Sequence, residues 1–374
     1  MKHLQWLISL FVMFLAAAAA WADEPPAQEP SFTPAPPPAP AETGQEETPW
    51  LQLRSFIQAG YLYNLADPAS GENDLRVFDH LHNTFTIDLV EVEARHDSPL
   101  GGAGFKVKLT AGEAARFIHS RGLGSDEPFD LTEAYLDYRF DVLDGLRLRA
   151  GKFSTYFGAE LFEAWENPNT SRTYLFNYAL PVSHTGIMAE LSLSDFSLRL
   201  FGLNGWDCTA DNNEAKSVGA SLTYARADRF MAMLNLLAGP EQDGNTGDWR
   251  VLVDLVLTGR PLGWLALTAA GAYGRDRIGG EAVAWHGVQA VVGADPLAYL
   301  GVAIRGEFMN DPDGVRTGAA QELKGLTATV EARPADSLKI RLEYRHDWST
   351  KKSFAGNSSQ DTLGLAILWA ASRG

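Results

Sequence analysis

The sequence is poor in cysteine and in basic residues, and both shortages restrict the classes of protein it can belong to. Cys208 is the single cysteine in 374 residues, which excludes an internal disulfide framework and any zinc or iron–sulfur site built from cysteines. Lys and Arg number 31 against 47 Asp and Glu, a net charge of −16. This balance argues against a nucleic-acid partner, because phosphate binding needs clustered cations.

Long hydrophobic runs and nucleotide-binding motifs are also missing from the bulk of the chain. Hydrophobic residues make up 45% of the sequence, an ordinary proportion that excludes a bundle of membrane helices. No phosphate-cradling glycine loop or dinucleotide fingerprint is present, so the sequence indicates no cofactor.

The first 50 residues have the composition of an export signal followed by a linker. A short basic start, an apolar run and an A-W-A tripeptide ending at Ala22 predict a secretory signal over residues 1–22. An uncleaved membrane anchor is the alternative, although the apolar run is short for a spanning helix. Residues 23–50 contain nine of the 19 prolines, six acidic residues and no Lys or Arg. Such a segment cannot fold on its own, so we expect a disordered linker before a domain over residues 51–374.

Alternation of apolar and polar residues with a period of two runs through this domain, as in L-K-I-R-L-E-Y-R over residues 338–345. This period predicts strands rather than helices, and most segments are long enough to cross hydrocarbon. The sixteen predicted strands are 52–63, 80–95, 103–112, 131–141, 145–153, 183–193, 195–204, 216–226, 229–238, 248–258, 263–275, 282–294, 298–310, 321–333, 337–348 and 360–370. In the second strand the apolar phase breaks, which requires a β-bulge near Leu89–Val90 or a change of face.

The connections between these strands alternate between short and long. The longer connections are 64–79, 113–130, 154–182, 205–215, 239–247, 276–281, 311–320 and 349–359. Strict alternation is typical of a transmembrane antiparallel β-barrel with short periplasmic turns and long extracellular loops. The even strand count places both chain ends, and therefore the linker, in the periplasm. We thus predict localisation in the cell outer membrane, with lipid around the barrel.

The two faces of the strands fit the same architecture. The outward face is apolar, and aromatic residues cluster near strand ends, where they can form interfacial girdles. These are Tyr61, Tyr63, Tyr138, Trp249, Trp264, Tyr273, Tyr299, Tyr344, Trp348 and Trp369. The other face carries too many charges for a dry core. The arginines predicted to line a wet pore are Arg139, Arg147, Arg149, Arg199, Arg305, Arg341 and Arg345.

The longest connection, 154–182, carries the candidate constriction. A short helix is predicted over residues 159–166, with acidic side chains on it. A loop folded into the lumen opposite basic wall residues would create a transverse field that selects ions and orients dipolar solutes. The alternative is a solvated external face. The predicted constriction residues are Glu160, Glu163, Glu166 and Arg172.

The segment around this loop resembles a known family. Residues 145–195 contain G-K-F, then F-G-A-E, N-P-N-T-S-R and P-V-S-H-T-G, and this order is similar to the hallmark segment of OmpL-like β-barrel porins of the Gram-negative outer membrane. The G-K-F…F-G-x-E part is also similar to phosphate-selective porins, although their lysine-rich array is not evident here. The resemblance implies a porin-like outer-membrane protein and supplies no substrate.

Other constellations are weaker, and three functions stay open at this level. The main hypothesis is passive diffusion of small hydrophilic solutes or ions, without catalytic residues. An outer-membrane lipid hydrolase would rely on Ser183, His184 and Asn177. A secreted soluble protein that binds polysaccharide through its aromatic side chains is the third possible function.

His80 and His82 share a predicted strand face, but the sequence shows no third ligand for a metal ion there. The expected assembly is a homotrimer. Small outward residues over Ala266–Gly271 would allow the barrels of such a trimer to pack closely against each other.

Overall fold

The computed structural model describes residues 50–143, 145–227 and 229–373. The predicted signal and almost all of the predicted linker lie outside the described residues. The strands are β1 Gln52–Asn64, β2 Thr84–His96, β3 Gly102–Ala111, β4 Phe129–Arg139, β5 Arg147–Ser154, β6 Ser183–Leu193, β7 Phe196–Leu203, β8 Ser217–Arg226, β9 Phe230–Gln242, β10 Asn245–Leu262, β11 Leu265–Ile278, β12 Glu281–Leu297, β13 Leu300–Asp311, β14 Gln321–Ala335, β15 Leu338–Ser349 and β16 Ser359–Arg373. In the described ranges, helical structure amounts to three short turns, Glu113–Phe117, Ala164–Glu166 and Leu175–Ala179.

The strands form one closed antiparallel barrel. Each strand pairs with its neighbours in sequence, and β1 pairs with β16 to close the sheet, with Gly60 opposite Ala366. Closure leaves no unpaired strand edge. The predicted transmembrane antiparallel β-barrel of sixteen strands is confirmed. Within the described residues, no helix has both the length and the apolar character needed to cross a bilayer.

Alternating side chains point out of the barrel and into it, as the period of two requires. In β15, Leu342 is 62% exposed on the outside, whereas the neighbouring Arg341 is fully buried inside. In β16 the predicted outward set Leu363, Leu365 and Ile367 is exposed. The outer surface is therefore apolar, and the inner surface carries the charges.

The break of phase in β2 is a β-bulge at Asp88. Gln58 pairs with Leu89 and the next residue of β1 pairs with Ile87, so Asp88 is the extra residue. The bulge turns Leu89 and Glu91 into the barrel, while Ile87 stays outside. The prediction of a β-bulge near Leu89–Val90 is confirmed, with the extra residue directly before Leu89.

The prediction of strictly alternating connection lengths is wrong at two places. Residues 239–247 and 276–281 were predicted as loops, but most of them extend the neighbouring strands and leave the two-residue turns 243–244 and 279–280. Gly244, Gly279 and Gly280 provide the positive φ angles that such tight hairpin turns require. We call this end of the barrel the loop end and the opposite end, where β1 begins and β16 ends, the turn end. The other loop-end connections are 65–83, 112–128, 155–182, 204–216, 312–320 and 350–358.

Candidate functional site

The connection 155–182, here called L3, lies inside the barrel. Its side chains and backbone bond to inward-facing residues of strands on several sides, from Arg54 in β1 and Lys108 in β3 to Asp254 in β10 and Arg345 in β15. A solvated external loop could not reach all these strands. L3 is therefore a structured element within the lumen.

The helix predicted over residues 159–166 is wrong. Only Ala164–Glu166 forms a single 3₁₀ turn, and Glu163 before it has extended backbone angles. Helical hydrogen bonds are replaced by side-chain bonds, since the Leu161 amide donates to the Asn167 side chain at 2.9 Å. The Asn167 side chain, six residues away, thus takes a backbone group that a helix would use.

Two polar residues brace the fold of L3 from within. The Asn167 amide group donates to the Leu161 carbonyl at 2.7 Å, which closes the chain around residues 161–167. The Arg172 guanidinium donates to the carbonyls of Leu161, Phe162 and Thr170. Burial lowers the pKa of Arg172, and the neighbouring guanidinium charges lower it further. Asn167 and Arg172 are the asparagine and arginine of the N-P-N-T-S-R motif.

Arginines of β13 and β15 hold the carbonyl groups of L3. Arg305 donates to the Ser171 carbonyl at 2.5 Å, and Arg345 donates to the Arg172 carbonyl at 2.6 Å. Arg341 donates to the carbonyls of Ala164 and Asn167, both at 2.8 Å. The three arginines are at most 1% exposed. Guanidinium groups suit this task because their fixed fork of donors stays charged.

Carboxylates of the same strands accept the amides of L3. Glu343 accepts hydrogen bonds from the amides of Thr170 at 2.7 Å and Ser171 at 2.9 Å. Glu307 accepts one from the Tyr174 amide at 2.6 Å. Hydrogen bonds to charged groups contribute about 1.5–3 kcal/mol each. The wall of β13 and β15 therefore fixes the backbone of L3 in one position.

The acidic side chains of L3 are paired with basic groups. Glu160 lies 3.2 Å from Arg305, Glu163 forms an ion pair with Lys108, and Glu166 forms one with Arg54. Burial alone would raise the pKa of Glu163. The Lys108 ammonium and the hydrogen bonds to Glu163 outweigh burial and hold this pKa well below its usual range. The carboxylate of Glu163 is thus ionised at neutral pH.

The last part of L3 packs into an apolar cluster with inward residues of strands from β5 to β14. Leu175 and Leu180 lie against Met188, Trp285 and other inward residues that are at most 5% exposed. The Trp285 indole N–H donates to the Ala179 carbonyl at 3.2 Å. The cluster therefore joins the last part of L3 to the inner face of the barrel.

Comparison with known proteins identifies the family. Residues 51–371 match the family described as "Putative beta-barrel porin-2, OmpL-like". The chain belongs to this porin family. It is an outer-membrane porin, and the recognition made from the motif segment is confirmed. This assignment excludes the alternative of a secreted soluble protein that binds polysaccharide.

Solved porin structures share the fold at low sequence identity. An anion-selective porin from Comamonas acidovorans has 10% identity and a TM-score of 0.59, with 86% of this chain and 99% of that chain covered. The outer membrane channel DcaP of Acinetobacter baumannii has 13% identity and a TM-score of 0.59, with 86% and 97% covered. The trimer form of OmpT from Vibrio cholerae has 9% identity and a TM-score of 0.57, with 86% and 99% covered. The search of curated proteins gives no match.

The other arginines predicted to line the pore of this porin lie on the inner face of β4, β5 and β7. Arg149 donates to the Tyr156 hydroxyl at 2.8 Å, and Arg199 donates to Glu190 at 2.6 Å. Arg139 and Arg147 are half-buried nearer the turn end. These four side chains do not hold the backbone of L3, unlike Arg305, Arg341 and Arg345. Their role as pore lining stays a prediction.

Sequence reasoning missed the wall carboxylates Glu307 and Glu343. Their signal was present, because each lies two residues from an inward arginine and therefore shares its face. Among the described residues, the hydrolase candidates Ser183 and His184 form no hydrogen bond with each other. The His184 ring lies 3.0 Å from the Thr155 hydroxyl and is enclosed by phenylalanines, while the Ser183 hydroxyl has no hydrogen-bond partner among the described residues.

The histidines considered as metal ligands lie in a loop. β2 begins at Thr84, so the prediction that His80 and His82 share a strand face is wrong. His82 lies 3.1 Å from Asp67 and His80 lies 3.7 Å from Glu113. In the described part of the chain, no group of three or more His, Cys, Asp or Glu side chains is placed to hold a metal ion.

Proposed function

We propose that this porin lets small hydrophilic solutes or ions diffuse passively through a charged lumen that L3 narrows. The position of L3 is the observation that supports this proposal: its backbone is bonded to β13 and β15 and crosses the inside of the barrel. Passage would be restricted by the width left beside L3 and by the charges around it.

The wall charges would act in two ways. Arg305, Arg341 and Arg345 would keep L3 in place, so their contribution to selectivity is indirect. The second set, Arg139, Arg147, Arg149 and Arg199, would face permeating solutes at the turn-end side of L3. The constriction loop contains Glu160, Glu163, Glu166 and Arg172. The charges of these side chains are largely engaged in ion pairs and hydrogen bonds within the protein.

The orientation follows from the same proposal. The turn end would face the periplasm, with residues 23–50 as a periplasmic linker after removal of the signal, and the loop end would face outside. Outer-membrane lipid would surround the apolar face. The proposal assigns no catalytic step to this protein, since the Ser183 hydroxyl and the His184 ring do not form the hydrogen bond that a nucleophile and its base would share.

A homotrimer is part of the proposal. The described trimer form of OmpT from Vibrio cholerae supports it by analogy of fold. Alternation of faces means that only every second residue of the Ala266–Gly271 segment faces outward, so the small outward positions there are Ala269 and Gly271.

Conductance in planar bilayers tests the function directly. Purified protein should produce discrete current steps, and the reversal potential in a salt gradient should report whether anions or cations pass more readily. A correctly folded protein that conducts no ions and admits no small solute into liposomes would contradict the proposal.

A further inference from the structure

The wall formed by β1, β2 and β16 is layered along the barrel axis. Register places Gly60 beside Ala366, then Gln58 beside Leu89 and Leu368, then Phe56 beside Glu91, going from the loop end toward the turn end. Polar and apolar side chains are interleaved along this wall, with Gln58 at the level of Leu89 and Leu368 and Glu91 at the level of Phe56.

The layer nearest the loop end is a cavity of about 70 Å³, lined by polar side chains and by apolar ones that include Leu89 and Phe162. It is large enough for several water molecules. Asp79, His80, Asp88 and Glu113 line it, and Arg172 of L3 forms part of its lining. The Asp79, His80 and Glu113 side chains are partly exposed. Polar groups that water can reach are therefore present on the loop-end side of this wall.

The next layer is a thin apolar belt. Phe56 and Leu368 of the wall are fully buried, Leu89 is 1% exposed, and Phe162 of L3 lies against them at 9% exposed. The Phe162 ring also contacts Phe78, with ring centroids 5.7 Å apart. Phe162 is thus one of the apolar residues of L3, with Ala164, that pack against this wall.

A charged layer follows on the turn-end side of the belt. Glu93 pairs with Arg54 and with Lys108 across the strands, two residues nearer the turn end than the level of Phe56. Lys108 bonds to Glu163, and the side chains of Arg54 and Glu166 are partly exposed. The apolar side chains of the belt therefore lie between the cavity and these charged groups.

We propose that Phe162, together with Leu89 and Phe56, forms a hydrophobic gate on the permeation path. The inference rests on the proposed function, because a gate needs a path that conducts. An apolar constriction resists wetting, and an ion entering it loses hydration without gaining a partner. Passage then depends on movement of the Phe162 side chain away from the wall.

The test compares two phenylalanines of L3 that belong to different apolar clusters. Phe162 belongs to the gate, whereas Phe157 is 2% exposed and packs in the apolar cluster against β5 and β7. In single-channel recordings, Phe162→Ala should raise the conductance several-fold over wild type, and Phe157→Ala should leave it near the wild-type value. Leu89→Ala widens the gate from the side of the wall and should also raise the conductance. It replaces Phe162→Ala in the comparison if Phe162→Ala fails to fold.

The outcomes separate the gate from the proposed function. Equal conductance in wild type, Phe162→Ala and Leu89→Ala, or a similar rise in Phe157→Ala, overturns the gate and leaves the porin function standing. Absence of current in wild type and in every folded variant counts against the porin function itself. A wild type that conducts no ions beside a conducting Phe162→Ala supports the gate and counts against passive diffusion through the unmodified protein.

Discussion

At the scale of single residues, charged side chains inside this barrel hold the backbone of L3 in place as well as lining the inner face. Arg341 is fully buried and uses its guanidinium for two carbonyls of L3 and for Glu331. The sequence alone indicated that Arg341 points inward, because alternate residues of a strand face the same side. It could not indicate that the partners are backbone atoms more than 170 residues away, because no local pattern encodes that contact.

Replacing Arg341 should release one edge of L3. Arg341→Ala leaves two loop carbonyls and Glu331 without this donor, and breaking such a buried network costs about 3–5 kcal/mol. We expect lower resistance to thermal unfolding in detergent and noisier single-channel currents. Arg226→Ala is the control, since Arg226 is exposed at the end of β8 and should behave like wild type. Equal stability of both variants would contradict the assigned role.

The lowered pKa of Glu163 makes a prediction about pH. A carboxylate with a depressed folded-state pKa stabilises the docked loop above the ordinary glutamate value of about 4.3, and this contribution disappears only as pH falls through the lower folded value. The difference in conductance between wild type and Glu163→Gln should therefore persist from pH 7 down to about pH 4. Convergence of the two proteins near pH 5 would show that Glu163 is an ordinary, exposed carboxylate.

At the scale of elements, the strands were predictable and the lumen loop was not. Period-two alternation depends on each strand having one lipid-facing and one inner face, so all sixteen strands were found from local sequence. The bounds failed where hairpins continue beyond the turns at 243–244 and 279–280. The helix over 159–166 failed because Arg305, Arg341 and Asn167 capture backbone and side-chain groups that helix rules assign locally.

Substitution of Gly151, the glycine of the G-K-F motif, tests whether the lack of a side chain at this position keeps β5 in register with β4. Gly151 has φ 135°, and an added Cβ would overlap the Ala134 carbonyl oxygen of β4. Gly151→Ala should destabilise the barrel by about 3 kcal/mol or more, from backbone strain and overpacking together. Gly306→Ala is the matched strand control, because nothing lies within 4 Å of its added Cβ. Refolding yield, read from the faster gel migration of unheated barrels, should fall only for Gly151→Ala.

At the scale of the whole molecule, one closed sheet creates the space and L3 divides it. Most of the length of L3 is bonded to β13 and β15 or packed in the apolar cluster, so the barrel is neither an open tube nor a dry core. Composition and patterning were enough to predict the tube. The division of its interior required contacts among strands, which only the folded chain brings together.

Shortening L3 tests most directly whether the loop limits passage. The Thr155 amide donates to the Val182 carbonyl at 3.0 Å, so the loop ends are adjacent and a short Gly-Ser linker can replace residues 159–178 without stretching the barrel. Liposome swelling with sugars of increasing size should show that wild type admits only the smallest and that the shortened, heat-modifiable barrel admits larger ones. An identical exclusion limit for the two proteins would contradict a lumen narrowed by L3.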